Sequence, residues 1–229
     1  MATKMGTIKK TPIEDFQNVR KNGLIAIKLK ENDSLEWVRQ TSGNDEIMII
    51  TKEAKAIRFN EKDVRPMGRP SIGVRGIKLK GNDEVIEMDQ IRLSNSAEML
   101  VIMGNGLGKM TKVQTYRFQA RGGSGVKTAN LTEKTGKIVG AKVIEEDTDA
   151  DLIIMSKSGH IIRLDVKNIP SQGRSTQGVY LMRMKPTDKV ASISLIRKVK
   201  EEEFGMQENE PETETENQQP LLEQETSAK

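Results

Sequence analysis

The stretch EIMIIT at residues 46–51 decides the fold. It returns as EMLVIM at residues 98–103 and as DLIIMS at residues 151–156, within a repeat of 50 to 53 residues. Each copy is apolar for several positions in succession, which is typical of a strand buried on both faces. A repeat of this length indicates small units that bury their apolar faces against one another, as propellers and solenoids do.

A column of glycines follows the same period and defines four units. Each glycine follows an arginine by three or four residues, in loops that read NVRKNG, MGRPSIG, QARGGSG and QGRSTQG. The glycines are Gly23, Gly73, Gly125 and Gly178, and the arginines are Arg20, Arg69, Arg121 and Arg174. Two columns with one period indicate a true internal repeat.

Every unit has the same order of strand-like segments. A short basic strand precedes the loop, at residues 7–11, 56–59, 108–111 and 161–164. A strand with roughly alternating apolar positions follows the loop, beginning at residues 24, 74, 126 and 179, and a third strand comes after a polar turn. With the buried stretch, each unit has about four strands, which predicts an all-β, blade-like repeat.

We expect residues 1–198 to form one array of four blades. The predicted blades cover approximately residues 6–52, 53–104, 105–156 and 157–198. The first unit lacks the buried strand that precedes the others, so we interpret the array as the last portion of a longer one. Residues 199–229 are rich in glutamate, proline and glutamine, and this composition predicts a disordered acidic tail.

Charge is unevenly distributed along the chain. Residues 200–229 contain ten glutamates and two lysines, whereas residues 1–199 contain 35 basic and 23 acidic side chains. A strongly basic body indicates an anionic partner, with nucleic acid as the first hypothesis. The chain contains no cysteine and no apolar stretch long enough to cross a bilayer, which suits a cytoplasmic protein without a membrane partner.

The arginine and glycine loops are the predicted binding sites. Glycines let backbone amides approach a phosphate closely, and arginine adds a charge-assisted donor. Basic residues of the preceding strands recur on each unit, and a repeated charge on a curved array indicates a binding track. The predicted DNA contacts are Lys9, Lys10, Arg20, Lys21, Arg58, Arg69, Lys109, Arg121, Gly122, Gly123, Gly125, Arg163 and Arg174.

No catalytic or metal-binding constellation is predicted. His160 is the only histidine in the chain. GNGLGK at residues 104–109 lacks the spacing of a nucleotide-binding loop and is interpreted as a hairpin turn. Tyr116 occupies an apolar position shared with Phe16, Val64 and Ile169, so we interpret it as a packing residue rather than a nucleophile.

The repeated passages resemble the C-terminal domain of DNA gyrase A. The resemblance covers about residues 5–198, and its most specific passages are DVRPMGR and GVRGIKL at residues 63–69 and 73–79. The Q-[KR]-R-G-G-[KR]-G box of that family's first blade is absent from this sequence; QARGGSG at residues 119–125 is similar, but it lies in a different blade and has Ala120 and Ser124 where basic residues belong. The four units look like the third to sixth blades of a six-bladed β-pinwheel.

The resemblance implies a fold and a function. Neighbouring blades of a β-pinwheel exchange strands, and the family wraps duplex DNA around a basic outer rim to support ATP-dependent negative supercoiling. The implied partners are double-stranded DNA, the rest of gyrase A and the gyrase B protein, in an A2B2 holoenzyme on the bacterial chromosome. DNA cleavage and ATP hydrolysis, with the ATP and Mg²⁺ they need, belong to the other parts of that holoenzyme, so no cofactor is expected in this chain.

Two alternatives remain. The equivalent C-terminal domain of topoisomerase IV has related blades, which are usually fewer and more degenerate than the regular units here. A pinwheel that acts as a protein-interaction scaffold, with incidental basic charge, is an alternative of a different class. Duplex affinity that does not fall as salt rises would favour the scaffold.

Overall fold

A computed structural model of the chain describes residues 1–19, 21–92, 96–146 and 148–198. In these residues the protein consists of antiparallel β-sheets and short 3-10 helices, and none of the described helices is long and apolar enough to span a membrane. The all-β prediction is therefore confirmed. The predicted acidic tail, residues 199–229, lies outside the described residues.

The first two sheets each contain four strands. The first sheet has the spatial order β3 (Leu35–Trp37), β1 (Ala2–Thr3), β2 (Thr7–Ile8) and β6 (Val74–Arg75). The second has the order β7 (Val85–Ile91), β4 (Glu46–Thr51), β5 (Lys55–Asn60) and β10 (Val126–Lys127). The stretch EIMIIT thus forms a central strand, paired on both sides: Ile49 lies opposite Ile57 of β5 and Met88 of β7.

The third and fourth sheets continue the pattern. The third has the order β11 (Ile138–Ile144), β8 (Glu98–Met103), β9 (Leu107–Lys109) and β14 (Val179–Tyr180). The fourth has three described strands, in the order β15 (Val190–Arg197), β12 (Ala150–Ser156) and β13 (Ile161–Asp165). A short 3-10 helix precedes each arginine loop: η1 (Ile13–Phe16), η2 (Glu61–Asp63), η3 (Val113–Thr115) and η4 (Val166–Asn168).

The outer strand of each four-stranded sheet comes from the following unit. β6 pairs with β2 through Val74 and Ile8, β10 pairs with β5, and β14 pairs with β9. At the other side, strands of neighbouring sheets contact one another, β3 with β7, β7 with β11 and β11 with β15. We call β3, β7, β11 and β15 the inner strands and β6, β10 and β14 the outer strands. The strand exchange implied by the family resemblance is therefore present.

Strand pairing also corrects the predicted blade boundaries. The sequence places residues 46–51 at the end of the first unit, but this stretch pairs with β5 and β7 and is the centre of the second sheet. A cut near residue 52 separates β4 from the hairpin partner that follows it. The outer strands are also shorter than predicted. Residues 24–29 form no strand, because no described sheet precedes the first one to receive them.

Three apolar clusters lie between the four sheets. One joins the first and second sheets around Ile8, Ile49 and Ile57, and another joins the second and third around Met48 and Val101. The last joins the third and fourth sheets. These clusters are mainly aliphatic, and each gains its stability from burial between two units.

Candidate nucleic-acid interface

The loops that carry the repeated arginines and glycines lie at the junctions between units. We call residues 66–73, 118–125 and 171–178 the rim loops. Each begins with a hydrogen bond to the preceding unit, as when Gln119 N–H donates to the Arg58 carbonyl. Near its end, each rim loop accepts a second hydrogen bond from the preceding unit. For example, Lys78 N–H donates to the Gly123 carbonyl at 2.8 Å, and Lys78 lies five residues after the repeated glycine of its unit. The rim loops therefore connect neighbouring units through backbone hydrogen bonds.

The glycine column exists because of a close backbone approach. Gly73, Gly125 and Gly178 all have positive φ, and each lies against the strand of the preceding unit that pairs with the exchanged outer strand. A Cβ at Gly178 would lie 2.5 Å from the carbonyl oxygen of Gly108, closer than any side chain allows. The repeated glycine thus has a packing role in strand exchange.

Gly122 and Gly123, the other predicted phosphate-binding glycines, also make contacts within the array. The Gly122 N–H donates to the Gly76 carbonyl at 2.6 Å, so this amide already has an acceptor. The Gly123 carbonyl accepts from Lys78 N–H. The expected amide cradle for a phosphate is therefore not supported at Gly122, because a buried or half-buried N–H with a good acceptor is not available to a second one.

The loop arginines bind main-chain carbonyls across the junctions. Arg121 Nε donates to the Asp63 carbonyl at 2.8 Å, and Arg174 Nη1 donates to the Lys127 carbonyl at 3.2 Å. Both residues are half-buried, as is Arg69. A guanidinium has five N–H donors, so these contacts leave donors for a further partner. Of the remaining predicted contacts in the first loop, Arg20 lies outside the described residues, and Lys21 is exposed.

Lys9 and Lys109 correct the predicted binding track. Both are buried, with exposed fractions of 1% and 0%. Lys109 Nζ donates to the carbonyls of Gly173 and Arg174, at 2.6 and 3.0 Å, and Lys9 Nζ donates to the carbonyls of Ala26 and Arg69. These ammonium groups stabilise the rim loops through hydrogen bonds to their carbonyls and are not accessible at the surface.

The remaining basic positions of this track pair with carboxylates. Arg58 Nε donates to Glu46 at 2.6 Å, Lys10 lies 3.6 Å from Glu61, and Arg163 Nε donates to Asp151 at 2.6 Å. Of these three cations only Arg163 is mainly exposed, at 66% of its side chain. Equivalent residues of the outer strands lie opposite Ile8, Ala56 and Gly108. Lys9 and Lys109 each follow one of these residues and therefore share one repeat position. Lys10, Arg58 and Arg163 share the next position along the strand. In the predicted track these two adjacent positions are treated as one.

The pKa values of the two buried lysines are lowered, mainly by burial and in part by nearby cations. Burial lowers the pKa of Lys109 from 10.5 to about 8, and the nearby cations Arg174 and Lys127 lower it further in the same direction. The pKa of Lys9 is also lowered, first by burial, with Arg69 adding to the effect and Asp15 opposing it. Cations this close together create a positive potential that favours an anionic ligand.

The exposed basic side chains are largely missing from the predicted contacts. One group of them lies on or just after the outer strands or near the 3-10 helices: Lys62, Arg65, Arg75, Lys78, Lys80, Lys112, Arg117, Lys127 and Lys167. In contrast, many carboxylates are buried: Asp45, Glu46, Glu61, Asp83, Glu87, Asp151 and Asp188. A sequence pattern could have predicted some of these exposed cations. In VRGIKLK at residues 74–80, apolar and polar residues roughly alternate, and the charged residues are all basic.

The residues that the sequence raises as catalytic candidates form no catalytic arrangement. Tyr116 is buried, and its hydroxyl lies 2.5 Å from Thr128 Oγ1, which confirms its packing role. His160 Nδ1 contacts Ser158 Oγ, and this serine donates to Asp188 across a turn. Within the described ranges, no group of three or more acidic or histidine side chains is placed to hold a metal ion.

Comparison with known proteins decides the family. The model of the family described as DNA gyrase C-terminal domain, β-propeller, matches residues 1–42, 45–92, 104–145 and 150–197. The chain belongs to this family. The four matched segments follow the sheets of the structure more closely than the predicted blade boundaries, since the second begins at residue 45, just before β4.

Members of the family with related sequences include DNA gyrase A of Staphylococcus aureus. The strain NCTC 8325 protein is 40% identical over 212 residues, and the strain MRSA252 protein is 41% identical over 202 residues. The first match covers 93% of this chain and 24% of the relative, so the chain spans about a quarter of the length of the curated relatives it matches.

Two solved structures show the same fold. A DNA gyrase A C-terminal domain has a TM-score of 0.72 at 25% identity, with 85% of this chain and 64% of that chain covered. The C-terminal domain of a DNA topoisomerase IV has a TM-score of 0.79 at 24% identity, with 86% and 60% covered. The topoisomerase IV likeness concerns the fold alone.

Proposed function

We propose that this chain is the DNA-wrapping C-terminal portion of DNA gyrase A, part of a bacterial type II topoisomerase. Its outer side binds and bends duplex DNA, and thereby presents a segment for strand passage with one handedness. The rest of gyrase A and the gyrase B protein, in an A2B2 holoenzyme on the chromosome in the cytoplasm, cleave DNA and use ATP and Mg²⁺ to introduce negative supercoils. This chain contributes DNA geometry rather than a chemical step.

The observation that supports this proposal is the separation of charge. Exposed cations such as Arg75, Arg117 and Lys127 recur on the outer strands and near the 3-10 helices of successive units, whereas many carboxylates are buried. A recurrent row of exposed cations suits binding to the phosphates of a duplex, and phosphate contacts read no base sequence. The half-buried arginines of the rim loops add positive charge at the junctions, where they are proposed to contribute to the same track.

Wrapping requires such a track because DNA is stiff. Bending 20 to 30 base pairs by 40 to 90 degrees costs roughly 1 to 6 kcal/mol, and wrapping around several blades requires more. Counterion release from several phosphate contacts offsets this cost, with an affinity that falls steeply as salt rises. We therefore expect little sequence preference and a strong salt dependence.

The first experiment measures the salt dependence of duplex affinity. Replacing Arg75, Arg117 and Lys127 together by alanine should lower the slope of log K against log salt by about 0.9 for each lost phosphate contact. The matched control is Lys137→Ala, because the Lys137 ammonium group is already paired with Glu53. Affinity that is independent of salt, or unchanged in the triple variant, would favour the protein-interaction scaffold instead.

The second experiment measures wrapping itself. A nicked plasmid is ligated with the chain bound and then freed of protein, and the linking number of the product is compared with that of plasmid ligated alone. A shift of one sign that grows with protein concentration is expected for wrapping. A scaffold leaves the linking number unchanged. The 40% identity to gyrase A favours gyrase over topoisomerase IV as the parent enzyme.

A further inference from the structure

Phe118 is a large exposed aromatic residue in a chain with few of them. The sequence has four Phe, two Tyr and one Trp, and the Phe118 side chain is 55% exposed at the start of a rim loop. Backbone bridges show that Pro66 and Ser171 occupy the same position in the neighbouring units. An exposed aromatic ring at this point is therefore a property of one junction and not a requirement of the repeat.

One face of the Phe118 ring is held in place. The Arg58 guanidinium carbon lies 4.2 Å from the ring centroid, and the two residues also form a parallel backbone bridge. Arg58 is fixed in turn by Glu46 at 2.6 Å and by the carbonyls of Val113 and Tyr116 at 3.1 and 3.2 Å. The ring is thus supported by a well-anchored cation, which limits the conformational entropy that a ligand would have to remove.

Two further arginines lie close to Phe118 in the sequence. Arg117, the preceding residue, is exposed, and Arg121 of the same loop binds the carbonyl of Asp63. No carboxylate is bound to Arg117 among the ion pairs of the described residues. An apolar ring flanked by arginines suits a ligand that has both phosphates and apolar surface, and duplex DNA has both, with sugar and base edges between the phosphate rows.

We propose that Phe118 makes an apolar contact with the groove of the wrapped duplex and fixes the position of the DNA on the third unit. This inference rests on the proposed function. The phosphate contacts let DNA slide along the track, since they are equivalent along the helix. One rigid aromatic contact at one junction gives the wrapped segment a preferred phase, and it favours steps that unstack easily.

The direct test is photocrosslinking on the full chain. Phe118→p-benzoylphenylalanine is irradiated with a duplex of mixed sequence, and the crosslinked nucleotides are mapped. Crosslinks to sugars or bases are expected from position 118. The matched control is the same substitution at Ile161, which is 62% exposed and lies on β13. No crosslink at position 118, or equal yield at both positions, overturns the proposal.

Affinity separates this proposal from the function on which it rests. Phe118→Ser, which places the residue of position 171 at position 118, should weaken duplex binding roughly tenfold, the scale for losing one aromatic contact. The salt slope should not change, whereas Arg117→Ala should lower it. If Phe118→Ser binds as the wild type does while the slope stays steep, the aromatic contact is wrong and wrapping stands. If the wild type shows no salt-dependent binding, the proposed function fails and this inference fails with it.

Discussion

A Cβ atom at Gly125 would lie 2.7 Å from the carbonyl oxygen of Ala56. Ala56 belongs to β5 of the preceding unit, where it lies opposite Val126 of the exchanged strand β10. The same relationship recurs between Gly73 and Ile8 and between Gly178 and Gly108. The most regular column of the sequence therefore records the contact that joins one unit to the next, rather than a ligand.

Gly125→Ala should destabilise the array more than a change of backbone conformation alone explains. Positive φ costs an alanine about 1 kcal/mol, and the clash with Ala56 adds strain of roughly 1 to 3 kcal/mol. Gly23→Ala is the matched control, because Gly23 has φ of +75° but nothing within 4 Å of its added Cβ. Chemical denaturation measures both. Equal losses of free energy of unfolding would show that the close approach does not matter.

The strands are well predicted from the sequence because burial leaves a strong pattern. The stretch 46–51 is apolar since it has paired strands on both sides and apolar clusters on both faces. The predicted unit boundary is wrong because β4 pairs with β5 and β7, which follow it in the chain, and strand exchange in addition places β6 in the preceding sheet. Hydrophobic period shows that a strand is buried, but it does not show which sheet receives it.

Which basic side chains are exposed is harder to predict, because a shift of one residue along a strand moves a side chain to the opposite face. Lys9 is buried beneath a rim loop, while its neighbour Lys10 is half-buried beside Glu61. The recurrence of a basic residue in every unit is also a poor guide to its exposure. Arg121 and Arg174 recur for a structural reason, whereas exposed cations such as Arg117 have weaker repetition and leave a weaker signal.

Tyr116 and Thr128 form a buried hydrogen bond that should be measurable as a coupled pair. Tyr116→Phe leaves the Thr128 hydroxyl, which is 0% exposed, without this partner at a cost of about 1 to 3 kcal/mol. Adding Thr128→Val removes the orphaned hydroxyl, so the double variant should lose less than the sum of the single variants. Phe16 at the equivalent position of the first unit shows that the fold accepts a phenyl ring there. Strict additivity would contradict the prediction.

Lys109 should make stability rise in the alkaline range. Its pKa is lowered from 10.5 to about 8, so between these values the unfolded chain holds a proton that the folded chain has released. The free energy of unfolding therefore increases with pH from about 8 to 10.5 through this group, by roughly 3 kcal/mol at most. Lys109→Met should lose this increase relative to the wild type in denaturation series across that range.

Lys109→Met should also loosen the rim loop that the ammonium group supports. Hydrogen exchange of residues 173–176 should become faster, because the Gly173 and Arg174 carbonyls lose a charged donor. Lys78→Met is a suitable control, since Lys78 is exposed. Unchanged exchange in the Lys109 variant would show that the loop does not depend on the buried lysine.

Glu87 lies in an ion network that joins three inner strands or their ends. It accepts from Arg39, which follows β3, at 3.1 Å, and pairs with Lys142 of β11 at 2.8 Å. Arg39 also pairs with Asp89 at 2.9 Å. Burial nevertheless raises the pKa of Glu87 from 4.5 to about 7; the Asp89 carboxylate acts in the same direction, while Lys142 and Arg39 oppose the shift. The carboxylate is thus costly to ionise even with two cations beside it.

The sign of this shift predicts a fall in stability as pH rises from 4.5 to 7. In that range the folded chain keeps a proton that the unfolded chain has lost, so the free energy of unfolding decreases, by roughly 3 kcal/mol through this group. Glu87→Gln should remove that decrease. Glu84→Gln is the control, and its effect on the pH profile should have the opposite sign. Lys52 and Lys4 lower the pKa of Glu84, so the stability that its carboxylate contributes to the folded chain is lost as pH falls below 4.5. If both variants change the pH profile in the same direction, the burial of Glu87 is not the cause, since desolvation and ion pairing shift a carboxyl pKa in opposite directions.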